Sequence, residues 1–360
     1  ADALAGGRRP LIIAGRGAVL AGARQPLEAL GERLGALLAT SAVANGLFAG
    51  SPWALGISGG FASPAAAGLI AEADVVLGVG ATLNMWTTRH GHLLSPTATV
   101  VQVDSDASAL GAHHRVDVGV VGDAAESTRA LLEDLEQRNL SGGGWRSPGV
   151  EERIAGGGWD REPYQDRSAD RRIDPRTLSI LLDQALPAER TVAVDSGHFM
   201  GWPSMYLRVP DAQGFVFTQG FQSVGLGLAG GMAAAIARPD RLAVAALGDG
   251  GALMAASELE TVARLGLRML IVVYDDAAYG AEVHHFGPMG GRLDTVRFPD
   301  TDIAALARGA GLEAATVRQP EDLAALRTWL GRGDGPALLL DAKVVPDVVA
   351  EWLEEAFRGH

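Results

Sequence analysis

The chain contains no cysteine. Disulfide bonds, thiolate metal sites and a cysteine nucleophile are therefore excluded. Lys343 is the only lysine, so chemistry that passes through a lysine Schiff base has a single, poorly placed candidate residue.

Long apolar runs and clusters of basic residues are also missing. No stretch approaches the roughly 20 consecutive apolar residues that a membrane helix needs, and the first residues lack the regions of a secretory signal. A net charge of −13 without a basic run argues against nucleic-acid binding. We therefore expect a cytoplasmic enzyme that has neither a membrane nor a nucleic-acid partner.

Short apolar strands alternate with helical patterns in two parts of the 360-residue chain, 1–138 and 174–360. The predicted strands are 10–14, 74–79, 99–104, 191–194, 214–218, 242–247, 269–274 and 337–341. The predicted helices are 25–38, 66–73, 124–138, 178–186, 224–237, 255–265 and 303–309. Such alternation is typical of a parallel sheet that is covered on both faces. We predict an α/β fold with two doubly wound parallel-sheet domains, joined by a linker at 139–173 that is rich in glycine, proline and charge.

The most specific motif follows the predicted strand 242–247. It reads Gly248-Asp249-Gly250-Gly251, and the later strand 269–274 ends in Asp275-Asp276. Ligands of parallel sheets bind beyond the carboxyl ends of the strands, so Asp249 and Asp276 would share one cation if their strands are neighbours. Mg²⁺ binds through one or two carboxylates plus substrate phosphates, and glycines beside a carboxylate let backbone N–H groups approach a phosphate. The motif therefore predicts a magnesium and diphosphate site.

This motif resembles the cofactor signature of thiamine diphosphate enzymes, in which a GDG sequence is followed later by a polar pair at a strand end. Residues 1–138, with the stretches LIIAGRGA, DVVLGVGATLN and VVQVDSD, look like the central domain of the acetolactate synthase and 2-oxoacid decarboxylase family. Residues 174–360 look like its diphosphate-binding domain. The resemblance implies thiamine diphosphate and Mg²⁺ as cofactors, and decarboxylation or carboligation of a small 2-oxo acid.

The resemblance also implies roles for individual residues. The side chains of Asp249 and Asp276 and the carbonyl of Ala278 become Mg²⁺ ligands, while Asp275 replaces an asparagine that is usual in the family. The carbonyl of Gln222 would accept from the aminopyrimidine, and Val224 would be the residue that wedges the cofactor into its V shape. The other implied cofactor contacts are Gly197, His198, Gly248, Gly250, Gly251, Ala278, Tyr279 and Gly280.

Three candidate catalytic residues follow this region: Glu282, His284 and His285. Glu282 stands six positions after Asp276, where some 2-oxoacid decarboxylases of the family place a glutamate that handles protons at the reacting carbon. An apolar cleft raises the pKa of a carboxylic acid toward neutrality, as general acid catalysis requires. We expect this segment to form a wall of the substrate site.

The family's activating glutamate belongs to a separate N-terminal domain, whereas this sequence begins at the central domain. We expect the chain to be a fragment or one subunit of a split enzyme, with a separate pyrimidine-binding domain or subunit as a partner. Because family members place each cofactor between two subunits, the resemblance also implies a homo-oligomer, either a dimer or a tetramer.

Two other functions stay open at this point. One is a catalytically silent relative that keeps the fold, which the pair Asp275-Asp276 and the small Val224 would favour. The other is an NAD-linked deacetylase or dehydrogenase that uses the first domain. Gly15-Arg16-Gly17 begins like a dinucleotide motif, but Leu20 occupies the third glycine position, which favours a plain strand–helix turn. FAD, which acetolactate synthases bind in this domain, is allowed by the sequence but not supported by it.

Overall fold

The computed structural model describes residues 1–221 and 223–356, apart from the side chains of Glu354 and Glu355. The chain forms two compact units, one from Ala1 to Glu162 and a second that begins at Pro163. Within the described residues each unit contains a six-stranded parallel sheet with helices, so the predicted α/β fold with two parallel sheets is confirmed. Across the same residues, no helix combines the length and the apolar character needed to cross a membrane.

The first unit holds its sheet in the order β3-β2-β1-β4-β5-β6. Its strands are β1 (Pro10–Ala14), β2 (Leu37–Thr40), β3 (Ala54–Ile57), β4 (Val75–Val79), β5 (Thr99–Asp104) and β6 (Val118–Val121). Its helices are α1 (Asp2–Ala5), α2 (Arg16–Leu20), α3 (Arg24–Leu34), α4 (Pro64–Ala71), α5 (Met85–Thr88), α6 (Ala124–Gln137) and α7 (Pro148–Gly156), with single 3₁₀ turns at Ala42–Ala44 and Ala107–Ala109.

The second unit holds its sheet in the order β11-β12-β10-β9-β7-β8. Its strands are β7 (Arg190–Val194), β8 (Phe215–Phe217), β9 (Leu242–Gly248), β10 (Met269–Asp275), β11 (Glu313–Val317) and β12 (Leu338–Lys343). Its helices are α8 (Pro175–Ala185), α9 (Gly201–Tyr206), α10 (Gly227–Ala237), α11 (Asp249–Met254), α12 (Glu258–Arg264), α13 (Gly280–Phe286), α14 (Ile303–Gly309), α15 (Ala324–Arg332) and α16 (Glu351–Ala356), with 3₁₀ turns at His198–Met200, Thr218–Phe221 and Pro320–Leu323.

The strands β2, β3, β6 and β11 are additional to those predicted, and two predicted segments have a different structure. The helix predicted over 25–38 ends at Leu34, because Gly35 adopts a left-handed conformation with φ of +65°, and the next apolar residues form β2. The segment 139–173, predicted as a linker, contains α7, whose first turn is capped by the Ser147 side chain.

Both sheets have a point where the chain reverses its direction of travel across the sheet. In the first unit this point lies between β1 and β4, because β1 leads outward to β2 and β4 leads the other way to β5. A Cβ atom on Gly17 would lie 2.8 Å from the Cα atom of Gly80, and one on Gly80 would lie 2.5 Å from the amide nitrogen of Ala18. The close approach of these two turns therefore requires glycine in both, without reference to a bound dinucleotide.

We predict that Gly80→Ala lowers the free energy of unfolding by at least about 1 kcal/mol more than Gly50→Ala does, as overpacking at a close contact commonly costs. Both glycines have positive φ, +55° at Gly80 and +88° at Gly50, but a Cβ atom at Gly50 would meet no atom within 4 Å. Urea unfolding of the two variants measures the difference. Equal losses would contradict the close packing of the turns.

In the second unit the reversal lies between β7 and β9. The turns that follow these strands begin at Asp195 and Gly248, and both are therefore at the edge of the sheet where parallel folds bind ligands. Gly248 of β9 pairs with Tyr274 of β10. The residues that follow these two strands therefore lie at the same edge of the sheet.

Candidate functional site

Asp249 and Asp276 follow the neighbouring strands β9 and β10. The side chain of Asp249 is buried, and its Oδ2 accepts a hydrogen bond from the backbone N–H of Ala278 at 3.0 Å. This bond draws the turn after β10 against the turn after β9. The two carboxylates therefore lie near one another and near the peptide group of Ala278, and their role as Mg²⁺ ligands stays a prediction.

The carboxyl groups in this region repel one another. Burial, and then the negative charges of Asp276 and Asp275, raise the pKa of Asp249. Burial, and then the charge of Asp275, likewise raise the pKa of Asp276. A divalent cation would remove this repulsion, and carboxylate and carbonyl oxygens are the ligands that Mg²⁺ prefers. The residues present therefore fit Mg²⁺.

Asp275 does not join this pair. Its Oδ2 accepts a hydrogen bond from the ammonium group of Lys343 at 2.6 Å, and its Oδ1 accepts one from the backbone N–H of Ala277 at 3.0 Å. Its carboxylate thus has partners of its own, and two carboxylates rather than three are left for a cation.

The glycine-rich turn after β9 leaves no room for side chains. A Cβ atom on Gly248 would lie 2.9 Å from the Cδ1 atom of Phe199, and one on Gly250 would lie 2.4 Å from the Cε1 atom of Tyr279. The Tyr279 ring in turn contacts Phe298 edge to face, with 4.7 Å between ring centres. The backbone of this segment is therefore packed directly against Phe199 and Tyr279, and its role in holding a diphosphate stays a prediction.

His198, His284 and Asp276 place potential ligand atoms within 4.8 Å of one another. The backbone N–H of Ala350 donates to Nε2 of His198 at 2.8 Å, so the neutral ring carries its proton on Nδ1. Burial, and then the nearby His284, lower the pKa of His198 to about 3 and keep the ring neutral. A protonated Nδ1 has no lone pair for a metal. We infer that His198 acts as an N–H donor and not as a metal ligand.

Two further glycines surround His198. A Cβ atom on Gly280 would lie 2.4 Å from Oδ2 of Asp276 and 3.4 Å from Nδ1 of His198. Gly197 has a φ of +140°, which other residues rarely adopt. Glycine is thus required both before His198 and at the start of α13, and Gly280 lies beside the candidate metal ligand Asp276.

Sequence reasoning missed Asp195, a fully buried carboxylate directly after β7. It accepts hydrogen bonds from the backbone N–H groups of Ser196 at 2.8 Å and of Gly225 at 2.9 Å. A Cβ atom on Gly251 would lie 2.3 Å from its Oδ2. Burial raises the pKa of Asp195 despite these bonds. Asp195 therefore joins three turns of the site, and the signal for it was an acidic residue at the end of an apolar strand.

Two residues are predicted to hold the aminopyrimidine, and the structure describes one of them, Val224. Gln222 lies outside the described residues. Val224 is 37% exposed, and its Cγ1 atom lies 3.4 Å from the position of a Cβ atom on Gly251. The wedge role of Val224 stays a prediction.

Helix α13 carries the three candidate catalytic residues, and it brings one of them to the carboxylates. The ring of His284 lies 4.4 Å from that of His198, and its buried Nε2 makes no hydrogen bond within the described residues. His285 packs against Phe286, and Glu282 is exposed. The catalytic roles of these residues stay predictions.

A cavity of about 440 Å³ opens beside these groups. Its walls include Asp276, Ala278 and His284 together with the guanidinium groups of Arg172 and Arg297. The cavity therefore connects the predicted metal ligands with two positive charges, which suit an anionic ligand.

We predict that Asp195→Ala lowers the free energy of unfolding by about 1–3 kcal/mol, because it leaves buried N–H donors without an acceptor. Asp195→Asn keeps one acceptor oxygen and should cost less. Amide hydrogen exchange at Gly225 gives a local measurement and should become faster in the alanine variant. Unchanged exchange at Gly225 would contradict the role of Asp195 as the link between these turns.

Two family models match the chain. The thiamine pyrophosphate enzyme central domain matches residues 1–131, and the thiamine pyrophosphate enzyme C-terminal TPP binding domain matches residues 195–340. The matches cover most of the chain and fall in both compact units. The chain belongs to the thiamine pyrophosphate enzyme family, as the sequence motif predicts, and the match of both units favours this assignment over the NAD-linked alternative.

Known relatives agree with this assignment. A sulfoacetaldehyde acetyltransferase from Castellaniella defragrans is 29% identical over 89% of this chain and 57% of that protein. A probable 2-ketoarginine decarboxylase from Pseudomonas aeruginosa is 31% identical over 93% of this chain and 57% of that protein. The chain thus spans just over half the length of these relatives.

A solved structure shares the fold. The thiamine diphosphate-dependent 4-hydroxybenzoylformate decarboxylase of Rhodococcus jostii RHA1 matches with a TM-score of 0.74 and 19% identity, over 96% of this chain and 63% of that chain.

Proposed function

We propose that this chain supplies the metal- and diphosphate-binding part of a thiamine diphosphate- and Mg²⁺-dependent enzyme that decarboxylates a 2-oxo acid or joins the product to an acceptor. The observation that carries the proposal is the meeting of Asp249, Asp276 and the peptide of Ala278 at the ends of two paired strands. Acetolactate synthase, acetyltransferase and decarboxylase relatives support the reaction class.

Different residues of the chain would bind Mg²⁺ and the diphosphate in this site. Asp249, Asp276 and the carbonyl of Ala278 would hold Mg²⁺, and the turn Gly248–Gly251 would take the diphosphate. The Nδ1–H of His198 would donate to an anionic oxygen. When bound, thiamine diphosphate supplies a nucleophilic carbon and an electron sink beside a keto group.

Substrate binding is assigned to the cavity beside α13. The guanidinium groups of Arg172 and Arg297 would attract the carboxylate of a small 2-oxo acid, because arginine recognises carboxylates through paired hydrogen bonds. Glu282, on the exposed side of α13, would deliver or take a proton at the reacting carbon.

Apolar side chains near the site support a second copy of the chain as its partner. Val224 is 37% exposed, Met254 56%, and Phe286 49%. All three belong to segments that build the site, and exposed apolar side chains commonly mark an interface. We propose that a homo-oligomer covers them.

Titration calorimetry with thiamine diphosphate, with and without Mg²⁺, tests the binding part of the proposal. We predict Mg²⁺-dependent binding to the wild-type chain and at least about tenfold weaker binding to Asp249→Asn, since a ligand to the metal loses its charge. Asp294→Asn is the matched control, because Asp294 is an exposed aspartate of the same unit that pairs with Arg292. Its affinity should equal that of the wild type.

Release of CO₂ from pyruvate by the chain with both cofactors tests the catalytic part. Binding together with CO₂ release would support an enzyme. Binding without turnover is expected both of a catalytically silent relative and of a chain that needs a separate pyrimidine-binding domain or subunit, and absence of Mg²⁺-dependent binding would contradict the proposed function.

We predict that Glu282→Gln lowers kcat for CO₂ release by about 100-fold, because a general acid–base group contributes at least that much. Its affinity for Mg²⁺ and thiamine diphosphate should not change. Glu258→Gln, which alters another exposed glutamate of the second unit, is the control. Wild-type kcat in Glu282→Gln would remove Glu282 from the mechanism.

A further inference from the structure

Lys343, the only lysine of the chain, lies next to the residues of the candidate metal site. Lys343 ends β12, and the strand register pairs it with Asp275, the last residue of β10. Its Nζ atom lies 2.6 Å from Oδ2 of Asp275, 3.0 Å from Oδ1 of Asp300 and 3.2 Å from Oδ2 of Asp341. It also donates to the carbonyl of Thr301 at 2.6 Å. One ammonium group thus serves three carboxylates.

The three carboxylates do not depend on Lys343 to the same degree. Asp300 is 50% exposed at its side chain, so water screens its charge. Asp341 is buried, but its Oδ2 also faces the backbone N–H groups of Ile303 and Ala304 at 3.2 and 3.4 Å, at the start of α14. Its charge is therefore partly met by the helix.

Asp275 has no comparable alternative. Its side chain is 2% exposed, and among the described residues Lys343 is the one positive group paired with its carboxylate, while Arg172 donates to its backbone carbonyl at 3.0 Å. A buried charge that loses its partner is strongly unfavourable. Without Lys343 the carboxylate would have to take up a proton or turn toward another positive charge.

One place for such a turn is the candidate metal site. Asp275 immediately precedes Asp276, it follows Tyr274, which pairs with Gly248, the residue before Asp249, and its charge acts on Asp249. Its Oδ1 accepts the N–H of Ala277, a residue with φ of +59° at the start of the turn that carries Ala278. The direction of the Asp275 side chain and the shape of this turn are therefore linked.

We propose that Lys343 is a positioning residue for the metal site, which holds Asp275 against β12 and balances its charge so that only Asp249 and Asp276 face the cation. The inference rests on the proposed function, because it takes Mg²⁺ with a diphosphate as the ligand. A third free carboxylate would repel the diphosphate oxygens that complete the coordination of Mg²⁺.

The test compares Mg²⁺ binding, in the presence of thiamine diphosphate, by four full-length chains: wild type, Lys343→Met, Asp275→Asn, and the double variant. We expect Lys343→Met to bind Mg²⁺ about 10- to 100-fold more weakly, as loss of a group that supports a metal ligand commonly does. Asp275→Asn should bind like the wild type. The double variant should recover most of the affinity, because it removes the unpaired carboxylate together with the lysine.

Urea unfolding of the four chains without cofactors measures their free energies of unfolding. It shows whether a loss of Mg²⁺ affinity accompanies a general loss of stability. Wild-type affinity in Lys343→Met would overturn the inference. So would a double variant that folds but binds as weakly as Lys343→Met, since Lys343 would then act independently of Asp275. If Lys343→Met does not fold, the double variant alone decides: near wild-type affinity supports the inference and weak binding overturns it. Failure of the wild-type chain to bind Mg²⁺ would instead contradict the proposed function.

Discussion

The parallel pairing of β9 with β10 is the constraint on which the site depends. Because Gly248 lies opposite Tyr274, both strands end at one level and their acidic residues leave the sheet side by side. A shift of this register by one residue would turn the alternating side chains to the opposite face. The apolar residues of both strands are buried on both faces, so the strands themselves lie inside the unit and only their ends reach the site.

Charge balance divides the acidic residues of this edge into two groups. Asp275 and Asp341 are paired inside the unit by Lys343, whereas among the described residues neither Asp249 nor Asp276 forms an ion pair, although the charge of Arg172 acts on Asp276. A buried carboxylate pair without a cation is costly in free energy. Protonation or a bound cation would relieve this cost, and the proposed Mg²⁺ site is consistent with the second of these.

Much of the site could be predicted from sequence because its residues stand directly after apolar strands. The positions of Asp249 and Asp276 can be predicted because each follows the end of an apolar strand. The glycines beside them can be predicted because a tight turn is expected there. The partnership of Asp275 with Lys343 joins residues that are distant in sequence, so no local pattern reveals it. The short strands β3, β6 and β11 were missed because edge strands are partly exposed and lack a continuous apolar run.

Magnetic resonance of bound Mn²⁺, used in place of Mg²⁺ with thiamine diphosphate, tests the central claim most directly. The account predicts a metal that couples to the phosphorus nuclei of the diphosphate and shows no coupling to imidazole nitrogen, since Asp249, Asp276 and the Ala278 carbonyl offer only oxygen. Coupling to a histidine nitrogen would contradict it, because the metal would then lie with His198 and His284. So would bound metal without phosphorus coupling.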